Sequence, residues 1–295
     1  MKIKIFAVIL LFSIAAISDA AQVAASLLYK VQLKDNAAPG DVVVESDAST
    51  GVYDAFGGTY TVYRNGRAVK TVQKPFLKGG NCLVKNGNYF LFCNSTENSL
   101  DMLTAGLDKF STFGLPSGIK GKYDPTDALV SGGYVYTVDN DNHRVLKTHL
   151  GTKAVEQTVG GFGNGKLEFW YPFALATDKR GVLYVSEALG TRVQKITKDF
   201  KFYENIGKWG IAAGEFYRPT GVAVLGGTTL FVGDGFTGVI QYFDEDGRFA
   251  GVLKDKNGKK LKFDSITHMR INGRYLAVVD AFAKTVTVYE LRGGK

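Results

Sequence analysis

One pattern recurs six times in this chain, and its period of about 45 residues leaves few folds open. Each copy has a proline-like turn position, a short apolar strand, a glycine-containing turn, a second apolar strand, and then an acidic or amide residue. The closing residues are Asp54, Asn94, Asp139, Glu187, Asp234 and Asp280, spaced 40, 45, 48, 47 and 46 residues apart. A unit of this length read as strands implies a β-propeller or a similar closed array, because one copy cannot bury its apolar face alone. The expectation is an all-β, six-bladed β-propeller.

The third copy is the clearest: Pro125-Thr126-Asp127-Ala128-Leu129-Val130, a Gly132-Gly133 turn, then Tyr134 to Asp139. The fourth runs from Pro172 to Glu187 and the fifth from Pro219 to Asp234. The first, Pro39 to Asp54, is weaker. The second (Gly80 to Asn94) and the sixth (Ser265 to Asp280) lack the proline. In copies three and four an arginine follows the acid by five residues, Asp139 to Arg144 and Glu187 to Arg192, and a third strand runs on.

Two glycine-rich connectors precede copies four and five: residues 160–172, with Gly160, Gly163, Gly165 and Phe169, and residues 207–219, with Gly207, Gly210, Gly214 and Phe216. With these motifs the chain resembles the NHL-repeat family of six-bladed propellers. Copies three to five carry the resemblance by motif, the others by spacing and strand pattern. The motifs are architectural. The resemblance therefore implies a scaffold and not a reaction.

Lys2 and Lys4, the apolar run of residues 5–17 and Ser18-Asp19-Ala20 read as a secretory signal peptide cleaved after Ala20. The apolar run is shorter than the roughly 20 residues a membrane span needs, and no other stretch is long enough. Residues 21–295 then match six units of about 45 residues, a single domain with no room for a second. The expected location is secreted and extracellular. Removing Lys2, Lys4 and Asp19 takes the net charge from +8 to +7. Together these point to an extracellular protein or acidic glycan as partner, and away from nucleic acid. The lysine-rich run at residues 254–262 contains Asn257-Gly258 and reads as a solvated turn.

The two cysteines, Cys82 and Cys93, flank Asn86-Gly87-Asn88. If the turn centres between Gly87 and Asn88 they face one another across adjacent strands, and an oxidising compartment allows a disulfide. If Asn86-Gly87 is itself the turn, Cys82 faces Leu91 and the pairing is lost.

The sixth copy ends after three strands. The strand-like segment Leu27 to Leu33 is placed to supply the fourth, so that the N-terminus closes the last blade and no sheet edge is left open.

Chemistry is sparsely signalled. Two residues after the proline position, where a side chain should face the channel, stand Asp41, Cys82, Asp127, Ala174, Gly221 and Thr267. Asp41, Asp127 and Thr267 are the candidate channel-mouth ligand or metal residues, since two carboxylates and a hydroxyl offer hard oxygen donors. The stretches Pro125-Thr126-Asp127 and Asp139 to Arg144 also resemble blades of the peptidyl-hydroxyglycine amidating lyase family, whose zinc histidines stand next to the proline positions. Here those places hold Gly40, Asn81, Thr126, Phe173, Thr220 and Ile266, with no histidine. His143, His149 and His268 show no zinc spacing. No nucleophile elbow or phosphate-binding glycine loop is visible. Asp139-Asn140-Asp141 resembles the start of a calcium loop but lacks its glycine and distal glutamate, and the six repeated closing residues read as turn acids accepting backbone amides. Asn94-Ser95-Thr96 is the one N-glycosylation sequon. The reading is a monomeric, non-enzymatic binding module without a cofactor. The alternative is a metal-dependent propeller enzyme of the lactonase, hydrolase or lyase kind.

Overall fold

The computed structural model describes residues 22–114 and 122–293. The leader read at residues 1–20 lies outside them. Six sheets follow one another along the chain, antiparallel except for one short parallel edge strand in the last. Five have four strands in sequence order, and the sixth has five. This is the expected six-bladed β-propeller. Among the described residues no helix is long and apolar enough to cross a membrane.

The strands form where apolar residues alternate or run continuously between turn residues, and their second strands are the most deeply buried. Tyr134–Asp139 and Leu183–Glu187, for example, have almost no exposed residue, because each lies between the neighbouring blades. Outer strands such as Arg67–Gln73 and Val155–Gly160 are polar and mostly exposed, as the rim of the disc requires. The hairpin of blade three turns at Gly132-Gly133, both with positive φ (58° and 83°), a conformation in which a side chain would be strained.

The last blade is composite. Ala24–Gln32 pairs antiparallel with Thr285–Arg292, from Ala24 opposite Arg292 to Gln32 opposite Thr285, with a bulge at Leu28 between Leu27 and Tyr29. The closure read from the sequence is thus the one observed. A short parallel strand, Lys254–Asp255, adds to the outer edge at Ala24 and Ala25. Leu27 and Leu28 face solvent, whereas Ala25 and Val31 are buried.

Cys82 stands opposite Cys93 on adjacent strands and the two form a disulfide, with a Cα–Cα distance of 4.8 Å. Asn86 pairs with Tyr89, so the turn is Gly87-Asn88. That is the register in which the cysteines face one another.

Candidate functional site

The channel is lined by the innermost strand of each blade. In these strands the register shifts just after the proline position, between Pro39 and Asp41, Pro125 and Asp127, and Pro219 and Gly221. In blade six the same shift falls between Ile266 and His268, with Ile266 opposite Asp280. The proline-equivalent position is therefore Ile266 and not Ser265. The channel residue of blade six is His268 and not Thr267. Without a proline to mark the strand start, the sequence reading was one residue early, and in a strand one residue reverses the facing side.

Two residues further along the same strand, Arg270 crosses the axis. Its Nε and Nη2 donate to Asp41 at 3.1 and 2.8 Å, and its Nη1 and Nη2 donate to Asp127 at 3.2 and 2.7 Å. Both carboxylates are fully buried. Burial opposes the charge on Arg270, but Asp127 and Asp41 outweigh it and hold the guanidinium above its ordinary pKa. Each aspartate also ties its blade to the next. Asp41 accepts the N–H groups of Val42 and Leu83 at 2.7 and 3.2 Å, and Asp127 those of Ala128 and Leu175, both at 2.8 Å.

Asp41, Asp127 and Cys82 do lie close together, with ligand atoms within 4.8 Å of one another. They do not suit a cation. Cys82 is committed to its disulfide, and both carboxylates are occupied by the guanidinium and backbone amides. A divalent ion would have to displace a buried positive charge. Thr267 does not join this group.

Thr267 instead helps line a pocket of about 400 Å³ above the clamp, at the end of the channel where the inner strands begin. Its wall is made by the residues one past the proline position: Gly40, Asn81, Thr126, Phe173 and Thr267. His268 also lines this pocket and Lys284 stands at its edge, with Nζ bonded to the Ala37 carbonyl at 2.7 Å. Most polar wall groups are used to stitch the blades. Asn81 donates to the Pro125 carbonyl at 2.9 Å, and Thr126 to the Phe173 carbonyl at 3.0 Å. Two are not so used. Thr267 Oγ1 and both ring nitrogens of His268 are buried without a hydrogen bond. The imidazole is directed toward the Thr126 backbone but outside hydrogen-bonding geometry, and its ring lies 5.6 Å from that of Phe173.

Burial lowers the pKa of His268 below the ordinary 6.5, and Arg270 pushes the same way, against Asp41 and Asp127. The folded protein therefore keeps the ring neutral, while the unfolded chain takes up a proton below about pH 6.5. The stability contributed by this group is complete above that pH and falls as the pH drops beneath it. Urea unfolding at pH 7.5 and pH 5 should show a loss in the native protein that is smaller in His268→Gln. Equal losses in both would mean that His268 does not govern this acid limb.

The repeated closing residues are turn acids in form. Asp234 accepts the N–H groups of Tyr217, Arg218, Phe236 and Thr237. Asp280 accepts those of Asp264, Ser265 and Ala283. Asp54 accepts those of Ala38 and Phe56. Asp139 and Glu187 each pair with the arginine five residues on, at 2.6 Å. Asn94 is buried, its Nδ2 donating to Asp101 at 2.9 Å and its Oδ1 accepting the Glu97 N–H at 3.1 Å. Both polar side-chain atoms of Asn94 are thus bonded within the blade. His143 and His149 lie in blade three, each accepting backbone N–H groups through Nδ1.

Arg270 escaped the sequence reading, and His268 entered it only as a histidine without zinc spacing. The signal was present in the alternation His268, Arg270, Asn272 along an inner strand, but it could be read only with blade six in its true register.

No protein-family model matches the chain, and no curated protein does. Solved structures do match. A virginiamycin B lyase from Staphylococcus aureus, a catalytically inactive variant with quinupristin, superposes with a TM-score of 0.64 at 11% identity, over 92% of this chain and 99% of that one. A streptogramin B lyase gives 0.62 at 11% identity, over 93% and 99%. A structural genomics protein of unknown function from Bacteroides thetaiotaomicron gives 0.66 at 16% identity, over 92% and 76%. At these identities the likeness establishes the propeller fold.

Proposed function

We propose that the chain is a secreted propeller of the NHL kind, a single domain over residues 21–295, that works as a binding module. Its ligand seats at the channel mouth over His268. The observation that carries this reading is the contrast between two layers of the channel. The carboxylates are consumed in the Arg270 clamp, while directly above them Thr267 and His268 stay buried and unpartnered at the base of a pocket. Buried polar groups without partners are costly, and a ligand that satisfies them recovers that cost. The rim supports a binding role. Beside the turn acids, blades one and six expose Phe56 and Phe282, next to the Ala55 and Ala281 that line the pocket. The Cys82–Cys93 disulfide supports an oxidising location.

A second reading is enzymatic. A neutral histidine at the base of a pocket can act as a general base, and one structural neighbour is a lyase inactivated by a histidine-to-alanine substitution.

The test is a thermal-shift screen of extracellular peptides, oligosaccharides and acidic small molecules against the native protein and His268→Phe. The substitution keeps the site filled while removing its polar atoms. Ligands that stabilise the native protein but not the variant support the reading. Stabilisation indifferent to the substitution overturns the site, and turnover of a stabilising ligand promotes the enzymatic reading.

A further inference from the structure

A second site stands away from the channel. The two glycine-rich connectors are built alike. Phe162 bridges Phe169 in one and Trp209 bridges Phe216 in the other. Gln194 and Gln241 fasten them equivalently, donating to the carbonyls of Glu168 and Glu215 and accepting the N–H groups of Leu167 and Gly214. Between the connectors lies a cleft of about 660 Å³. Both tryptophans of the chain line it, Trp170 from the first connector and Trp209 from the second, with Tyr217 beside them.

Two of the three aromatic surfaces are braced by a neighbouring ring, and the third is open. Tyr217 stacks on Phe236 with centroids 4.0 Å apart, and Trp170 is braced edge-to-face by Phe162 at 5.8 Å. Trp209 is 70% exposed, which is unusual for the largest apolar side chain. The polar lining is made of amides and hydroxyls: Asn164, Thr191 and Asn205. The two charged groups in the lining each have an acidic partner. Arg192 spends its donors on Glu187 and on the carbonyls of Asn164, Gly165 and Glu168. Lys208 pairs with Glu215 at 3.6 Å.

We infer that this cleft binds a neutral oligosaccharide. Aromatic faces beside uncharged amides and hydroxyls suit a ligand with flat C–H surfaces and a hydroxylated rim, and a pyranose ring has both. With Arg192 spent inside the fold and Lys208 set beside Glu215, the cleft offers little positive charge to an acidic glycan, although the protein as a whole is basic. The site deepens the reading of the chain as a binding module but is separate from the channel mouth, so either can fail alone.

The experiment is a fluorescence titration of the full secreted chain. Both tryptophans line the cleft, so the whole indole emission reports on it. The probes are chitohexaose, cellohexaose, laminarihexaose and mannohexaose, with a heparin hexasaccharide as the acidic comparison. At least one neutral hexasaccharide is expected to change the emission saturably. Trp209→Ala should weaken that binding tenfold or more with the melting midpoint unchanged, and His268→Phe should leave it intact. The inference is overturned if no neutral probe acts, if Trp209→Ala costs less than tenfold, if His268→Phe abolishes binding, or if heparin alone binds.

Discussion

Arg270→Ala is expected to lose about 3–5 kcal/mol of folding stability, the usual consequence of removing one partner from a buried ion pair. The substitution leaves Asp41 and Asp127 side by side, fully buried, with only backbone amides to balance two negative charges. Arg270→Lys should restore little, since an ammonium cannot reproduce the forked donation to two carboxylates. Arg270→Met combined with Asp41→Asn and Asp127→Asn should recover much of the loss, because no unpaired charge then remains. Denaturant unfolding of the three variants checks this. Arg270→Ala within about 1 kcal/mol of the native protein would mean that the clamp contributes nothing beyond its surroundings.

Deleting residues 22–33 should destabilise the whole ring and not merely remove a tail. The segment supplies the outer strand of blade six and packs against both neighbouring blades. Val23 and Ala25 join a cluster with Phe231, Tyr242 and Leu276. Val31 joins Val42 and Val52 of blade one and Val286 and Val288 of blade six. Tyr29 also reaches blade one, its hydroxyl donating to the Ala48 carbonyl at 2.6 Å. Leu27 and Leu28 add little because they face solvent. Val23 and Val31 alone stand for roughly 1.5–3 kcal/mol each, a large share of a total stability of about 5–15 kcal/mol. Thermal unfolding decides it. A midpoint unchanged within a few degrees would show that the remaining three strands of blade six hold the ring closed.

The architecture was legible because its signals are local. Proline, glycine turn and closing acid recur at a fixed spacing, and Pro125 pairs with Asp139 just as Pro172 pairs with Glu187 and Pro219 with Asp234. Blade closure was legible too, since a three-strand sixth copy demands a partner and Leu27 to Leu33 was the segment left over. The site was not legible, for two physical reasons. Blade six has Ile266 in place of proline, so nothing local marks where its bulge falls, and Thr267 was set where His268 stands. The clamp joins residues 229 and 143 positions apart. Asp41 and Asp127 could be placed at the channel from their own copies, but no pattern in either copy announces an arginine arriving from a third.

The Arg270 clamp also decides how traffic at the channel mouth must run. With a guanidinium bonded to carboxylates from two other blades, charged side chains cross the channel at this level. On the proposed reading, a molecule seated over His268 would enter and leave by the mouth above the clamp. A larger partner resting on the exposed phenylalanines around that mouth would slow both steps together, and so could hold a small ligand captive without touching it.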